Sequence, residues 1–300
     1  MELSRDRMND KKEVFMRKKY VAYFALLIIV ALLFSGCDAM ITNVYKTMNL
    51  GQPDPEKIAQ KNADVIIEES GITSGDGPSQ DYVKKIAKDD QAKKAVIEKL
   101  DEVVNSSSAT TEEKQASQAL IINIELSSID ADIVANNVNS ALGEFLKAAQ
   151  DGQEVEPAAI IDKILPAELS NDKDKLGKFI DDLAALSGDV DKFAQIIPKI
   201  DEKPTPAEGL DIATIAQTAA IIKFVDIVEP VGELTKGQAV ANAVMDLKAK
   251  PDADVSKYFK EEPNLESLKD DSSLKTLFEA ANINLETLFG ESNSSEGSST

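Results

Sequence analysis

The spacing of apolar residues constrains the fold of this chain most strongly, because from residue 55 onward it follows the helical period almost everywhere. Apolar side chains recur at intervals of three and four residues, which is the pattern of a helix with one buried face. The same stretch of sequence contains no convincing period-two alternation over strand-length windows. The sequence therefore predicts an all-α protein, built as a multi-helix bundle or as an α-solenoid-like array of helices.

Short capping motifs predict where several helices begin. In a capping box, a threonine side chain accepts a hydrogen bond from the backbone amide three residues later, and an acid or amide side chain at that position reaches back. Such boxes occur at Thr110–Glu113, Thr205–Glu208 and Thr235–Gln238. Each of them is expected to start a helix.

A further helix is predicted to start at Asp54, because this N-cap residue is followed by a proline at the first helical position. We expect Gly71 to end this helix, and we expect residues 71–80, with three glycines and a proline, to form a flexible loop. The predicted buried stripe of this helix comprises Ile58, Ala59, Ala63, Ile66 and Ile67.

Later apolar stripes predict that further helices pack against one another. One stripe comprises Val134, Val138, Ala141, Leu142, Phe145 and Ala149, and a second comprises Leu176, Phe179, Ile180, Leu183 and Leu186. The segment from Pro206 to Val228 is apolar on nearly all sides and predicts a central helix of the second half. Its uncharged part, residues 212–222, is too short to cross a bilayer, which requires roughly 20 apolar residues.

Candidate joints divide the body of the chain. Proline and charged residues occur together at 151–157, 201–206 and 249–251, each time at the end of a periodic segment. We therefore predict one helical half at residues 54–150 and a second at residues 151–290. The last residues, 291–300, contain nothing to bury and are predicted to be disordered.

The first 36 residues have the layout of a secretory signal peptide. The basic residues Arg17, Lys18 and Lys19 precede an apolar run of 14 residues from Val21 to Phe34. This run is shorter than the roughly 20 residues that a membrane-spanning helix requires. We expect the signal peptide to be removed after Gly36.

Cys37 is the only cysteine of the chain, and it directly follows Leu33, Phe34, Ser35 and Gly36. This stretch resembles the lipobox of bacterial lipoproteins, with Phe34 at a position that is usually aliphatic. The resemblance implies that the Cys37 sulfur receives diacylglycerol and that Cys37 becomes the first residue after cleavage. It also implies a protein anchored by lipid to the bacterial cell membrane, facing the periplasm or the cell exterior, with residues 37–53 next to the membrane. The alternative is an ordinary secreted protein with a chance cysteine.

The charge of the chain excludes some partners. Removal of residues 1–36 takes away seven of the 33 basic and four of the 53 acidic residues, which leaves a formal charge of −23. Nucleic acid and anionic membrane surfaces repel such a chain, so neither is an expected partner. Basic proteins and cations are the partners that it would attract, although a well-solvated helical surface explains the same composition.

Several catalytic chemistries are excluded by composition. The chain has no histidine and no tryptophan, and Cys37 is not free if it is lipidated. Histidine-based triads and histidine-containing zinc sites are therefore ruled out. Acidic pairs could in principle bind calcium, but none continues into an EF-hand loop, so helix capping and solvation explain them better. These pairs are Asp172/Asp174, Asp189/Asp191 and Asp252/Asp254.

Two functions fit these features. We expect a membrane-anchored, non-catalytic helical interaction or adaptor module whose partner is another envelope protein; no catalytic residue, metal site or cofactor is predicted. The alternative is a protein that binds a small ligand or assists transport, in which the helices enclose an apolar cavity. That cavity would be lined by Ile215, Ala219, Ile222 and Phe224, although such residues more often form ordinary core.

Overall fold

The computed structural model of the protein describes residues 54–131, 133–134, 137, 157–261 and 263–285. Within these residues the prediction of an all-α protein is confirmed, and the helices pack as a bundle. The helices before residue 131 are α1 (Pro55–Ala59), α2 (Ala63–Ser70), α3 (Gln80–Ala87), α4 (Asp90–Asn105) and α5 (Thr111–Ser128). No helix of the described part is long and apolar enough to cross a membrane.

The remaining elements follow residue 157. The helices are α6 (Pro157–Ile164), α7 (Ala167–Ser170), α8 (Lys173–Ala185), α9 (Ser187–Gln195), α10 (Ile212–Asp226), α11 (Lys236–Ala249), α12 (Leu265–Asp270) and α13 (Ser272–Ala280), with a 3₁₀ turn at Ser256–Tyr258. Strands β1 (Lys199–Ile200) and β2 (Lys203–Pro204) pair antiparallel, with Ile200 opposite Lys203. This hairpin is the only sheet among the residues that the structure describes.

The helix predicted from Asp54 to Gly71 is two helices, so that prediction was wrong in one respect. Asp54 caps α1 as expected, and Gly71 ends α2 in the left-handed conformation with φ of 71°. Between them the helix is interrupted, and Lys99 of α4 donates hydrogen bonds to the carbonyl oxygens of Ala59 and Lys61 at 2.7 and 2.6 Å. A lysine about 40 residues away thus satisfies carbonyl groups at the break.

Two of the three predicted capping boxes are confirmed. Thr110 and Thr235 start α5 and α11, and both reciprocal hydrogen bonds are present in each box. The box predicted at Thr205 was wrong, because its hydroxyl group donates to the carbonyl oxygen of Lys203 and its amide to that of Pro198. These bonds hold Thr205 at the end of the hairpin, and α10 starts later, with Asp211 as its cap.

Helix α5 lies inside the structure and connects residues of the two predicted halves. Every residue from Gln115 to Ile122 is buried, and the helix packs against α2, α3, α4 and α9. Gln115 donates to the carbonyl oxygen of Ile196 at 3.3 Å and accepts from the amide of Ala207 at 2.8 Å. Gln118 donates to the carbonyl oxygen and the carboxylate of Asp189. Two buried amide side chains therefore tie residues before 131 to residues after 157.

The loop predicted at residues 71–80 ends one residue earlier, because Gln80 starts α3, and it also contacts the second half. Ile72 is only 2% exposed, and the amide of Gly75 donates to the carbonyl oxygen of Gly209 at 2.7 Å. Gly209 has φ of 81°, and a Cβ atom there would lie 2.1 Å from the carbonyl oxygen of Thr73. Only glycine allows the two loops to approach this closely.

The segment from Pro206 to Val228, predicted as the central helix of the second half, contains the buried helix α10; the predicted start was wrong, because the helix begins at Ile212 after the cap residue Asp211. Ten of its residues are buried, and it packs against α8, α9, α12 and α13. Beside it, α8 crosses α11 closely where Gly177 faces Gly237. The carboxylate of Asp181 accepts from the amide of Gly237 and the hydroxyl group of Thr235, both at 2.7 Å, which fixes the start of α11 against α8. Leu176, Phe179, Ile180, Leu183 and Leu186 are buried, as predicted.

Candidate functional site

The predicted lipidation site lies outside the described residues. This applies to Cys37 and to the lipobox residues Leu33, Phe34, Ser35 and Gly36. It applies as well to the stripe from Val134 to Ala149, apart from Val134 itself, and to the tail at 291–300. Lipid attachment therefore stays a prediction from the sequence.

The acidic pairs bind protein groups. Asp172 caps α8 by accepting from the amides of Asp174 and Lys175. Asp191 pairs with Lys223 at 2.6 Å, and Asp254 accepts from Ser256. Within the described ranges, no three carboxylate or other ligand side chains are grouped so that they could hold a metal ion.

The residues proposed to line a ligand cavity are part of the hydrophobic core. Ile215, Ala219, Ile222 and Phe224 are each at most 8% exposed and pack with the rest of the core. The groove described next is lined by other residues, all of them before residue 114.

A surface groove forms where α2 begins, α4 ends and α5 begins. We call it the α2–α4–α5 groove; its volume is about 540 Å³. Its apolar lining consists of Ala63 and Ile67 on α2, Val103 on α4, and Ala109 just before α5. All four are half-buried and leave apolar surface open to solvent. The remaining lining residues are Asn62, Asp64, Lys99, Glu102, Ser106, Ser108 and Glu113.

Three carboxylates and one lysine line the groove. The ammonium group of Lys99 is held by the carbonyl groups of Ala59 and Lys61. Glu113 accepts from the amide of Thr110 within the capping box at 2.8 Å. Asp64 and Glu102 are exposed, and neither forms an ion pair with a described residue. The charge that the groove offers to a partner is therefore negative.

Helix geometry adds to this charge at one end of the groove. Glu102 lies in the last turn of α4, where no basic residue is present. The carbonyl ends of a helix carry partial negative charge, so a carboxylate there is unfavourable and a cation is favourable. Asp64 lies in the first turn of α2, where the opposite end of a helix offsets part of its charge. Glu102 is thus the stronger attractor for a cation.

Two other clusters of ionisable groups stabilise the fold. Burial and the neighbouring carboxylate of Glu69 raise the pKa of Tyr82, whose hydroxyl group donates to Glu69 at 3.3 Å. Hydrogen bonds from Lys257 and Tyr258 lower the pKa of the Asp246 carboxyl group. Each cluster joins neighbouring elements, and neither lines the groove.

Comparisons of the chain with protein-family models, with curated proteins and with solved structures found no match.

The groove was not predicted from the sequence, because its lining comes from three helices and a loop. Ala63 and Ile67 were predicted as part of a buried stripe, whereas they are half-buried at its edge. One local feature could have indicated the groove: Glu102 is an acidic residue in the last turn of α4, and no basic residue lies in that turn.

Proposed function

We propose that the protein is a bacterial cell-envelope lipoprotein, anchored to the membrane through lipid on Cys37, that acts as a non-catalytic helical interaction module. The single observation that carries the proposal is the position of Cys37, the only cysteine, directly after an apolar run and two small residues. Two or more acyl chains anchor a protein stably, whereas a single chain binds a membrane only marginally.

The folded part supports an interaction role. The groove combines apolar surface with two carboxylates that have no described partner. The acidic pairs that could have suggested chemistry cap helices or bind lysine. A tether would keep such a surface near other envelope proteins and raise its effective concentration toward them.

The ligand-binding alternative has less support. The four side chains expected to line its cavity are packed within the core. The groove is open and carries several polar groups, whereas small-molecule sites enclose most of the ligand with apolar surface.

The anchor is tested by the mass of the protein purified from its own membranes. We expect a chain that starts at Cys37 and carries acyl chains, and an unacylated chain for the Cys37→Ser variant. The matched control is Met40→Leu, which should be acylated like the wild type. An unmodified wild-type mass would contradict the anchor.

The interaction role is tested by native mass spectrometry of the lipidated protein after gentle extraction. A complex with a second protein is the expected result. A lipidated monomer that carries a small non-protein adduct would instead support ligand binding and refute the interaction module.

A further inference from the structure

We infer that the α2–α4–α5 groove binds a basic, amphipathic segment of the partner protein. This inference rests on the proposed function, since it names the surface and the chemistry through which the interaction module would bind. It follows from the shape of the groove, the charges along it and its place in the chain.

The shape of the groove suits a protein segment. A volume of about 540 Å³ accommodates several side chains, and the lining is contributed by α2, by the end of α4, by the start of α5 and by the turn between α4 and α5. Ala63, Ile67 and Val103 offer an apolar floor that side chains of an amphipathic segment can cover. Because the groove is open, the rest of such a segment would remain in water.

The charges favour a basic segment. Asp64 and Glu102 are exposed carboxylates without a described ion pair, and the only lysine of the groove is bound to backbone carbonyl groups. The end of α4 adds partial negative charge beside Glu102. Lysine or arginine side chains of a partner would meet both carboxylates, whereas an acidic segment would be repelled.

The groove lies close to the proposed anchor in the sequence. Only 16 residues, 38–53, lie between Cys37 and the start of the described chain at Asp54, so even a fully extended tether spans at most about 60 Å. The groove is lined by residues 62–113, the part of the body that follows this tether. A partner at the same membrane is therefore within reach.

The test uses the full mature protein and two short synthetic peptides of equal length. Both carry leucine along one helical face, and the remaining positions are lysine in one peptide and glutamate in the other. Binding is followed by fluorescence anisotropy at physiological salt, where distant charges are screened. We expect the lysine peptide to bind and the glutamate peptide not to bind.

The location of binding is tested with variants of equal net charge. In one, Asp64→Asn and Glu102→Gln neutralise the groove; in the other, Glu168→Gln and Glu279→Gln neutralise two exposed carboxylates on α7 and α13. We expect the groove variant to bind the lysine peptide about fivefold more weakly and the control to change by less than about twofold. Equal weakening in both variants, or no binding of the lysine peptide, would overturn the inference.

The same variants separate this inference from the proposed function. If the lipidated groove variant retains the partner protein as well as the wild type does, the groove inference is wrong and the interaction module stands. If the wild-type protein has no protein partner in its membrane, the interaction module is wrong, whatever the peptides show.

Discussion

The carbonyl oxygen of Gly177 occupies space that a side chain at position 237 would need. A Cβ atom at position 237 would lie 1.9 Å from this oxygen and 2.8 Å from the Asp181 carboxyl carbon. In the opposite direction, a Cβ atom at position 177 would meet the nearest atom of Gly237 at 3.5 Å, which is an ordinary contact. The crossing of α8 and α11 therefore requires glycine on one helix only.

This asymmetry predicts opposite outcomes for two alanine variants. Gly237→Ala should lower the free energy of unfolding by about 2–4 kcal/mol, because the helices must separate to admit the methyl group. Gly177→Ala should leave it unchanged or raise it by up to about 1 kcal/mol, because alanine favours a helix interior. Urea denaturation of both variants measures the difference, and similar losses in both would contradict the prediction.

The ion pairs of Lys223 predict that replacing the lysine and replacing its partner Asp191 have unequal effects on stability. Its side chain is 8% exposed and lies 2.6 Å from Asp191 and 3.7 Å from Asp271, while Asp191 is 39% exposed. Asp191→Asn leaves the buried ammonium group of Lys223 with only the longer ion pair, to Asp271. This change should lower the free energy of unfolding by about 2–3 kcal/mol. Lys223→Met should lower the free energy of unfolding by only about 1 kcal/mol, because the carboxylates of Asp191 and Asp271 reach water and the methionine side chain fills the space.

Thermal denaturation near neutral pH tests whether Asp191→Asn destabilises the protein more than Lys223→Met does. Asp182→Asn, which removes a half-buried carboxylate paired with the exposed Lys178, is the control and should change the free energy of unfolding by less than about 1 kcal/mol. A larger loss for Lys223→Met than for Asp191→Asn would refute the prediction.

The turn of the hairpin contains two residues in the left-handed region. Asp201 and Glu202 have φ of 49° and 67°, as a two-residue type I′ turn requires, although asparagine and glycine suit these positions better. The double change Asp201→Asn and Glu202→Gly should therefore stabilise the protein by about 0.5–1 kcal/mol. Glu208→Gly, where φ is not positive, should be destabilising, and equal effects in a thermal melt would contradict this explanation.

Tyr82 predicts a loss of stability at alkaline pH. Burial and Glu69 raise its folded pKa above the value of about 10 in an unfolded chain. The neutral phenol therefore stabilises the fold below pH ~10, and this contribution is lost as the pH rises above that value. Tyr82→Phe should reduce the fall in stability above pH ~10, which urea denaturation over a pH series measures.

The tyrosinate absorbance provides the direct measurement. The mature chain would contain Tyr45, Tyr82 and Tyr258, and the pKa values of Tyr82 and Tyr258 are both raised. Removal of Tyr82 should eliminate the most alkaline component of the titration. In concentrated guanidinium chloride, wild type and variant should both titrate near pH ~10.

Local sequence predicted the fold class and most helix starts correctly, because helical periodicity and capping boxes depend on neighbouring residues. Two local predictions failed for different reasons. At the break after α1, the distant Lys99 satisfies carbonyl groups that a continuous helix would have used, whereas the groups of Thr205 bind the nearby carbonyl groups of Pro198 and Lys203 in a hairpin. The groove could not be predicted from local sequence, since its residues become neighbours only after α2, α4 and α5 pack together.

The buried position of α5 has a consequence for synthesis of the chain. Gln118 lies 71 residues before its hydrogen-bond partner Asp189, and α9 covers part of α5. At a synthesis rate of about 5–20 residues per second, the face of α5 that α9 covers stays uncovered for roughly 4–14 s, until α9 has been synthesised. During this interval the growing chain exposes the apolar surface of α5 that α9 later covers, so factors that hold nascent chains have a binding site there.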